Sequence, residues 1–507
     1  MPHPIPYGPY GEGGETSNNT LLSPIPLGHK GPSKSAPLDE NRVMLSKRLS
    51  ALLAAPLLLA GCNTVSAVGD NFAAAVGLAD EAPRSYASSE VSEPTRAGMA
   101  VSDEPLAARA GASVLASQGS AVDAVAAMFF TLSVTYPASA GLGAGGICLV
   151  RDASGQVTEF DFLTRAPARG GAYAVPGAVR GFADMQKIHG ALPWQRVVAP
   201  AEAYAATGFP ISQALSARLA AGQNVVRLDA ALAAEFLDES GQPRATGTEV
   251  RNPALGLTLS QIRLGGAEGF YSGAVGARIE AYSNAQGGAV TLDELAAVRT
   301  QQGPARARNL GDMTVHQPGA RTGAGAFTAS LFDNLSRQRG AGEASIIAAV
   351  RQSLASFGVA SLPQDLGSTG FSAVDLNGQA ASCAVTLNGA FGSGRTAAGT
   401  GVVLAGSPRG PAGLASAFLT PLIATGGDNV TMTATGAGGP NGTAAAAYAV
   451  LEASRGRVPG KRGDLRSTGA APFDTVNVIS CNATACVALS DPAAHGLGAA
   501  AEVATTQ

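Results

Sequence analysis

Gly367-Ser368-Thr369-Gly370-Phe371-Ser372-Ala373-Val374-Asp375-Leu376-Asn377-Gly378-Gln379, continuing through Thr386-Leu387-Asn388-Gly389-Ala390-Phe391-Gly392-Ser393-Gly394, is the stretch on which the chain turns. Two runs suited to strands flank Asn377-Gly378, and Asn-Gly is a strong hairpin signal because both residues tolerate positive φ. A loop of Leu376-Asn377-Gly378 with Gly378 left-handed pairs Asp375 with Gln379 and sets Ser368 opposite Thr386. Two hydroxyls then face each other at the open end. A two-residue loop shifts the pairing by one and brings Thr369 opposite Thr386 instead.

The chain around this hairpin has 507 residues, 46% hydrophobic and 14% charged, with a formal net charge of -3. That composition describes a globular protein with no electrostatic bias toward nucleic acid or anionic membranes. Cysteines at 62, 148, 383, 481 and 486 are too scattered for a zinc framework, and only the last two are close together. Cys481 and Cys486 flank a short turn between strand-like runs and are candidates for a hairpin disulfide in an oxidising compartment; two reduced thiols are the alternative.

Residues 1–43 are rich in Pro, Gly, Ser and Asn without apolar periodicity and read as disordered or as a mis-assigned start upstream of Met44. Lys47 and Arg48 then precede an apolar run, Leu49 to Leu59, that ends in Leu59-Ala60-Gly61-Cys62. The run has signal-peptide form and is shorter than the roughly 18 to 20 residues that span a bilayer. Leu-Ala-Gly-Cys resembles a bacterial lipobox, which implies lipidation of Cys62 and attachment on the periplasmic side of the envelope. Residues 63–96, Ala/Ser/Glu-rich and aperiodic, suit a tether.

The folded part is expected from residue 97. Pro105 opens an apolar helical face through Leu106, Ala110, Val114 and Leu115, and Ser120 with Asp123 is a capping-box signal for a helix from Ala121 to about Leu132. Gly141, Gly143 and Gly146 satisfy G-x-G-x-x-G, but they follow a helical run and open a strand, the reverse of a dinucleotide site, so they are assigned to close backbone packing. Trp194 and Phe270 are expected core anchors. A strand from Val430 to Ala434 leads through Thr435-Gly436-Ala437-Gly438-Gly439-Pro440 into a helix from about Gly442 to Ala453.

The quoted hairpin resembles the small-subunit start of the γ-glutamyltransferase family of N-terminal-nucleophile (Ntn) hydrolases. Ala100 to Gly146, Ala174 to Phe182, Gly190 to Trp194, Gly208 to Ser212, Gly265 to Gly273, Thr291 to Leu295 and Ser490-Asp491-Pro492 resemble further landmarks of that family, in order. The resemblance implies an α+β fold, a four-layer αββα sandwich formed by a large part, 97–367, and a small part, 368–507. It implies self-cleavage between Gly367 and Ser368, with Ser368 where the family has a threonine nucleophile. Thr386 would orient that nucleophile, Gly438 and Gly439 would supply an oxyanion hole, and Asn388 would contact substrate. The partner is then a small amide substrate, γ-glutamyl or related, with the acyl group passed to water or an amine. No cofactor and no metal are implied.

Glutamate recognition departs from the family pattern. The arginine expected three residues before Ala166 falls on Leu163, and Arg165 lies two positions off; it is retained as a candidate substrate contact if a bulge re-aims it. Ala405 to Gly410 replaces an Asn/Gln/Asp-rich segment, and Ala417 and Phe418 stand where paired serines are expected. The rival reading is a catalytically silent envelope lipoprotein that uses the fold as a binding or structural module.

Overall fold

A computed structural model describes residues 97–338, 342–359, 365–465 and 473–501. The signal-peptide, lipobox and tether readings fall outside the described residues.

Two antiparallel sheets carry the molecule. The first has seven strands, in spatial order Leu497–Ala500, Met99–Ser102, Ser368–Val374, Ala380–Thr386, Gly145–Arg151, Val157–Asp161 and Gln301–Pro304. The second has six, in the order Cys486–Ser490, Thr475–Cys481, Asn429–Ala437, Thr420–Gly426, Met313–Gln317 and Arg306–Leu310. Met99, Val101, Leu149, Val157 and Val374 of the first sheet meet Ile423, Val430, Ile479 and Ala488 of the second in one buried cluster. Side chains alternate along a strand, so each sheet has an opposite face left to cover. Helices cover both, which gives an α+β sandwich with the layer order αββα.

On the first sheet lies the helix Ala121–Thr135, all of whose residues are buried. It is apolar on every side, as a helix enclosed by its neighbours must be. Ser120 and Asp123 form the expected capping box, with Asp123 N donating to Ser120 Oγ at 3.1 Å and Ser120 N to Asp123 Oδ2 at 2.9 Å. The second sheet is covered by Gly323–Arg337, Glu343–Ser356 and Pro440–Ala453, packed through Phe327, Leu331, Phe332, Ile346 and an alanine-rich face.

The hairpin takes the register that Gly378 selects. Its φ is +79°, Asp375 N donates to Gln379 O at 3.0 Å, and Ser368 pairs with Thr386. Asp375 Oδ1 accepts from Asn377 N (2.8 Å) and Gln379 N (3.0 Å). Its Oδ2 accepts from Ala121 N, and Gln379 Oε1 from Val122 N, so the hairpin tip satisfies two otherwise unpaired donors at the start of the central helix. Turn and helix thus fix each other, and Phe371 on the strand stacks with Phe182 behind it (6.1 Å between centroids).

The glycine-rich turn before Gly145–Arg151 packs against backbone. A Cβ on Gly143 would lie 2.2 Å from Val403 O, and one on Gly145 would lie 2.2 Å from Thr164 N. Phe270 is a fully buried anchor, while Trp194 is partly buried, edge-on to Phe130, and donates its indole N–H to Ile262 O at 2.8 Å. The strand before Gly438 is longer than its sequence suggests, Asn429–Ala437, and the helix after it begins at Pro440.

Cys481 and Cys486 form the hairpin disulfide. Cys148 and Cys383 form a second one, unread from the sequence; they stand opposite each other on neighbouring strands.

Candidate active site

Ser368 opens its strand in the middle of the seven-stranded sheet and is 1% exposed. Its Oγ accepts a hydrogen bond from Gly438 N at 2.8 Å. Gly438 is held at φ +88°, and a Cβ there would lie 1.8 Å from Phe473 O, so this turn needs glycine. Gly439 follows with extended φ, beside Asp474.

Gly367, at φ +58°, presents its carbonyl to two donors: Leu387 N at 2.9 Å and Thr386 Oγ1 at 3.0 Å. A Cβ on Gly367 would lie 1.8 Å from Gly389 O. Thr386 Oγ1 also lies 3.1 Å from Leu366 O and accepts from Asn388 N at 2.9 Å. The structure therefore differs from the expectation that Thr386 orients the serine hydroxyl. Across the strand pair its hydroxyl polarises the carbonyl that the serine would attack.

Asn388, at φ +62°, donates through Nδ2 to Thr164 Oγ1 (2.9 Å) and Gly406 O (2.7 Å), while its buried Oδ1 is unpartnered. The side chain is thus fixed between two segments with one acceptor left over. Arg165 is exposed, its backbone paired with Val175, so it does not join the buried groups round Ser368. At the position where the resemblance expects arginine, Leu163 packs against Ile147, Ala324, Ala384 and Leu419.

Sequence reasoning missed the charged groups beneath the serine. Arg218, 1% exposed on the helix Gln213–Val226, pairs with Asp365 and donates to Tyr136 Oη at 2.9 Å and, at 3.4 Å, to Ser368 O. Its guanidinium lies over the rings of Phe473 (4.1 Å) and Tyr136 (5.5 Å). Asp365 Oδ1 in turn accepts from Gly367 N at 2.8 Å. Nearby, fully buried Asp103 accepts from Thr369 Oγ1 (2.7 Å), Thr475 Oγ1 (3.1 Å) and Asn477 Nδ2 (2.8 Å). Burial pushes its carboxyl above the usual range against the pull of those bonds, and likewise pushes Asp474 up to about 6 and Glu104 up to about 7. A lone arginine on a helix face carries no sequence signal of this kind. A cavity of about 310 Å³, lined by Tyr136, Ala214, Phe473, Thr475 and His495 among others, abuts the two rings that hold the guanidinium.

A hydroxyl, a carbonyl with two donors and a glycine held left-handed between them form an arrangement suited to an N-to-O acyl shift. Residues 107–344 match the model of the gamma-glutamyltranspeptidase family. Just under half of the chain is therefore similar to that family. The chain is 33% identical over 214 residues to glutathione hydrolase 2 of Arabidopsis thaliana, covering 39% of this chain and 37% of that protein. It is 32% identical over 242 residues to the glutathione hydrolase proenzyme of Escherichia coli (strain K12), covering 43% of this chain and 42% of that protein. These matches span about two fifths of the curated relatives' length. Cephalosporin acylase from Bacillus halodurans superposes with a TM-score of 0.62 at 19% identity, over 83% of this chain and 99% of that one. That likeness shows the fold, an α+β sandwich. The family model's match ends before Ser368.

Proposed function

We propose that the protein is a self-processing, γ-glutamyltransferase-like amidohydrolase with Ser368 as nucleophile. The observation that carries this reading is the hydrogen-bonded frame of the Gly367–Ser368 bond: Leu387 N and Thr386 Oγ1 on the Gly367 carbonyl, Gly438 N on the Ser368 hydroxyl.

In the uncut chain Ser368 Oγ attacks the Gly367 carbonyl carbon. The oxygen of that carbonyl gains negative charge between Leu387 N and Thr386 Oγ1, where one well-placed donor is worth about 10²–10³ in rate. The C–N bond breaks, the hydroxyl proton ends on the Ser368 nitrogen, and Gly367 becomes an ester on Oγ. Water hydrolyses the ester, leaving a Gly367 carboxylate, a free hydroxyl and an α-amine on Ser368.

That amine becomes the base a serine otherwise lacks, since its pKa of about 7.7 to 8.0 leaves part of the population unprotonated near neutral pH. In turnover it takes the Oγ proton as Oγ attacks a substrate amide and passes it to the departing amine. Water or an amine then removes the acyl group. γ-Glutamyl amides such as glutathione are the acyl donors the family suggests; with Leu163 at the expected arginine position, other acyl groups of similar shape are included. The silent-module alternative draws no support from relatives that are hydrolase and acylase proenzymes. We place the enzyme on the periplasmic side of a bacterial envelope, anchored through Cys62, on the sequence pattern alone.

Turnover of γ-glutamyl and other acyl anilides by the cut protein, lost in Ser368→Ala, is the test. Cut protein inactive on every acyl anilide would overturn the enzymatic reading.

A further inference from the structure

The segment that precedes Ser368 is, on the reading above, the enzyme's first acyl donor. When Oγ attacks Gly367, the ester formed is an acyl-enzyme whose acyl group is the chain ending in Asp365-Leu366-Gly367. Groups that hold this segment in the uncut chain therefore mark where groups of a later acyl donor will lie.

Asp365 carries the mark. Its Oδ1 is 2.8 Å from Gly367 N, and a backbone nitrogen lies about 2.5 Å from its own carbonyl carbon. The carboxylate oxygen is thus within about 5.3 Å of the carbon under attack by those bond lengths. Its Oδ2 sits on the guanidinium of Arg218, which reaches Ser368 O with its other nitrogen. A single buried cation, fixed by Tyr136 and Phe473, so binds a carboxylate on one side and the nucleophile residue on the other.

We propose that Arg218 is the carboxylate receptor of the mature site, and that the acyl donor carries a carboxylate about 5 Å from its scissile carbonyl, the span of a four-bond diacid chain. The proposal rests on cleavage at Ser368. A substrate can be acylated onto Oγ only after the Gly367 carbonyl has left it, and Asp365 leaves on the same segment. Arg218 is then a buried guanidinium short of its ion-pair partner, a state that is costly until another anion fills it. Asp103 and Asp474 also act on it electrostatically, but the oxygens of Asp103 are engaged by Thr369, Thr475 and Asn477, and Asp474 is hydrogen-bonded by Asn441 and Gly442. The planar fork suits a carboxylate better than a point charge would. The cavity of about 310 Å³ bounded by Tyr136 and Phe473 keeps this corner from being packed solid. Leu163 and exposed Arg165 leave the family's usual carboxylate position without a cation, and Arg218 supplies one from a different helix. With no acidic group in Ala405 to Gly410 to hold an α-amine, the chemistry favours a plain diacid monoamide, glutaryl in length, at least as well as γ-glutamyl.

The experiment compares glutaryl and valeryl p-nitroanilides, equal in chain length and differing in the terminal carboxylate, on the cut wild type, Arg218→Lys and Arg218→Gln, each first checked by mass for cleavage. Wild type should favour the glutaryl anilide at least tenfold in kcat/KM. Arg218→Gln should lose that preference mainly through KM, and Arg218→Lys should fall between. Free glutarate should compete with substrate in cut wild type, and valeramide should not. If Arg218→Gln stays uncut, Arg218→Lys and glutarate competition decide. Cut, active wild type that is indifferent to the carboxylate, or an Arg218 variant that keeps the full preference, overturns the proposal. An uncut wild type instead overturns the reading on which it rests.

Discussion

Thr386 Oγ1 lies 3.0 Å from the carbonyl oxygen of Gly367, the residue before the strand position it faces. The strand register puts the hydroxyl of one strand on the bond that the other strand's serine would cut. Removing that donor while keeping its shape is the direct probe. Thr386→Val should slow self-cleavage by about 10²–10³, the worth of one oxyanion donor, and Thr386→Ser should stay within about tenfold of wild type. Timed fragment formation on a denaturing gel measures both.

Gly367 is held left-handed, with Gly389 O where a Cβ would be. Gly367→Ala must move backbone as well as adopt a conformation that costs roughly 1–2 kcal/mol for an L side chain. We expect cleavage at least ten times slower than wild type, by about 1.4 kcal/mol or more of barrier, and a lower Tm. Ser368→Ala should also stay whole but melt like an uncut wild type. Equal Tm in the two variants would contradict the strain argument.

Cys148 lies before the proposed cleavage point and Cys383 after it, and they are bonded. Cleaved protein from an oxidising compartment should therefore run as one band without reductant and as two with it. Two bands under both conditions would show that this pair is reduced.

How much of this was legible in the sequence follows from the range of each interaction. Asn377-Gly378 and Asp375 act within five residues, so the hairpin could be read directly and its register narrowed to two, of which the structure takes the one that sets Ser368 opposite Thr386. The capping box at Ser120 was legible for the same reason. Cys148 and Cys383 are 235 positions apart and become neighbours only through sheet order. Arg218 and Asp365 meet through the docking of a large-part helix against the loop ahead of the nucleophile, which no local pattern encodes. Arg165 was the reverse case: near the right place in sequence, yet exposed, its backbone held in a single antiparallel bridge to Val175.

Buried carboxyls should leave their trace in the stability curve. Glu104 caps the helix Pro105–Ala116 by accepting from Ala107 N at 2.8 Å, and burial raises it from 4.5 to about 7. A raised carboxyl pKa means that between those values the native state holds the proton more than the unfolded chain does. Stability then falls as pH rises from about 4.5 to about 7 and is flat beyond, by up to about 3 kcal/mol for this group. Asp474, raised to about 6, adds a shift of the same sign. Denaturant melts at pH 5, 6 and 7 should show the decline in wild type and a shallower one in Glu104→Gln; an unchanged slope in that variant would remove Glu104 from the account.

The central claim is that this chain cuts itself at Ser368. Intact-mass measurement of reduced wild-type protein, with the N-terminal residue of the smaller fragment identified, tests it most directly. The account predicts a fragment of residues 368–507 beginning with Ser368, absent from Ser368→Ala. A wild type that remains a single chain, or a fragment that begins at any other residue, would contradict it.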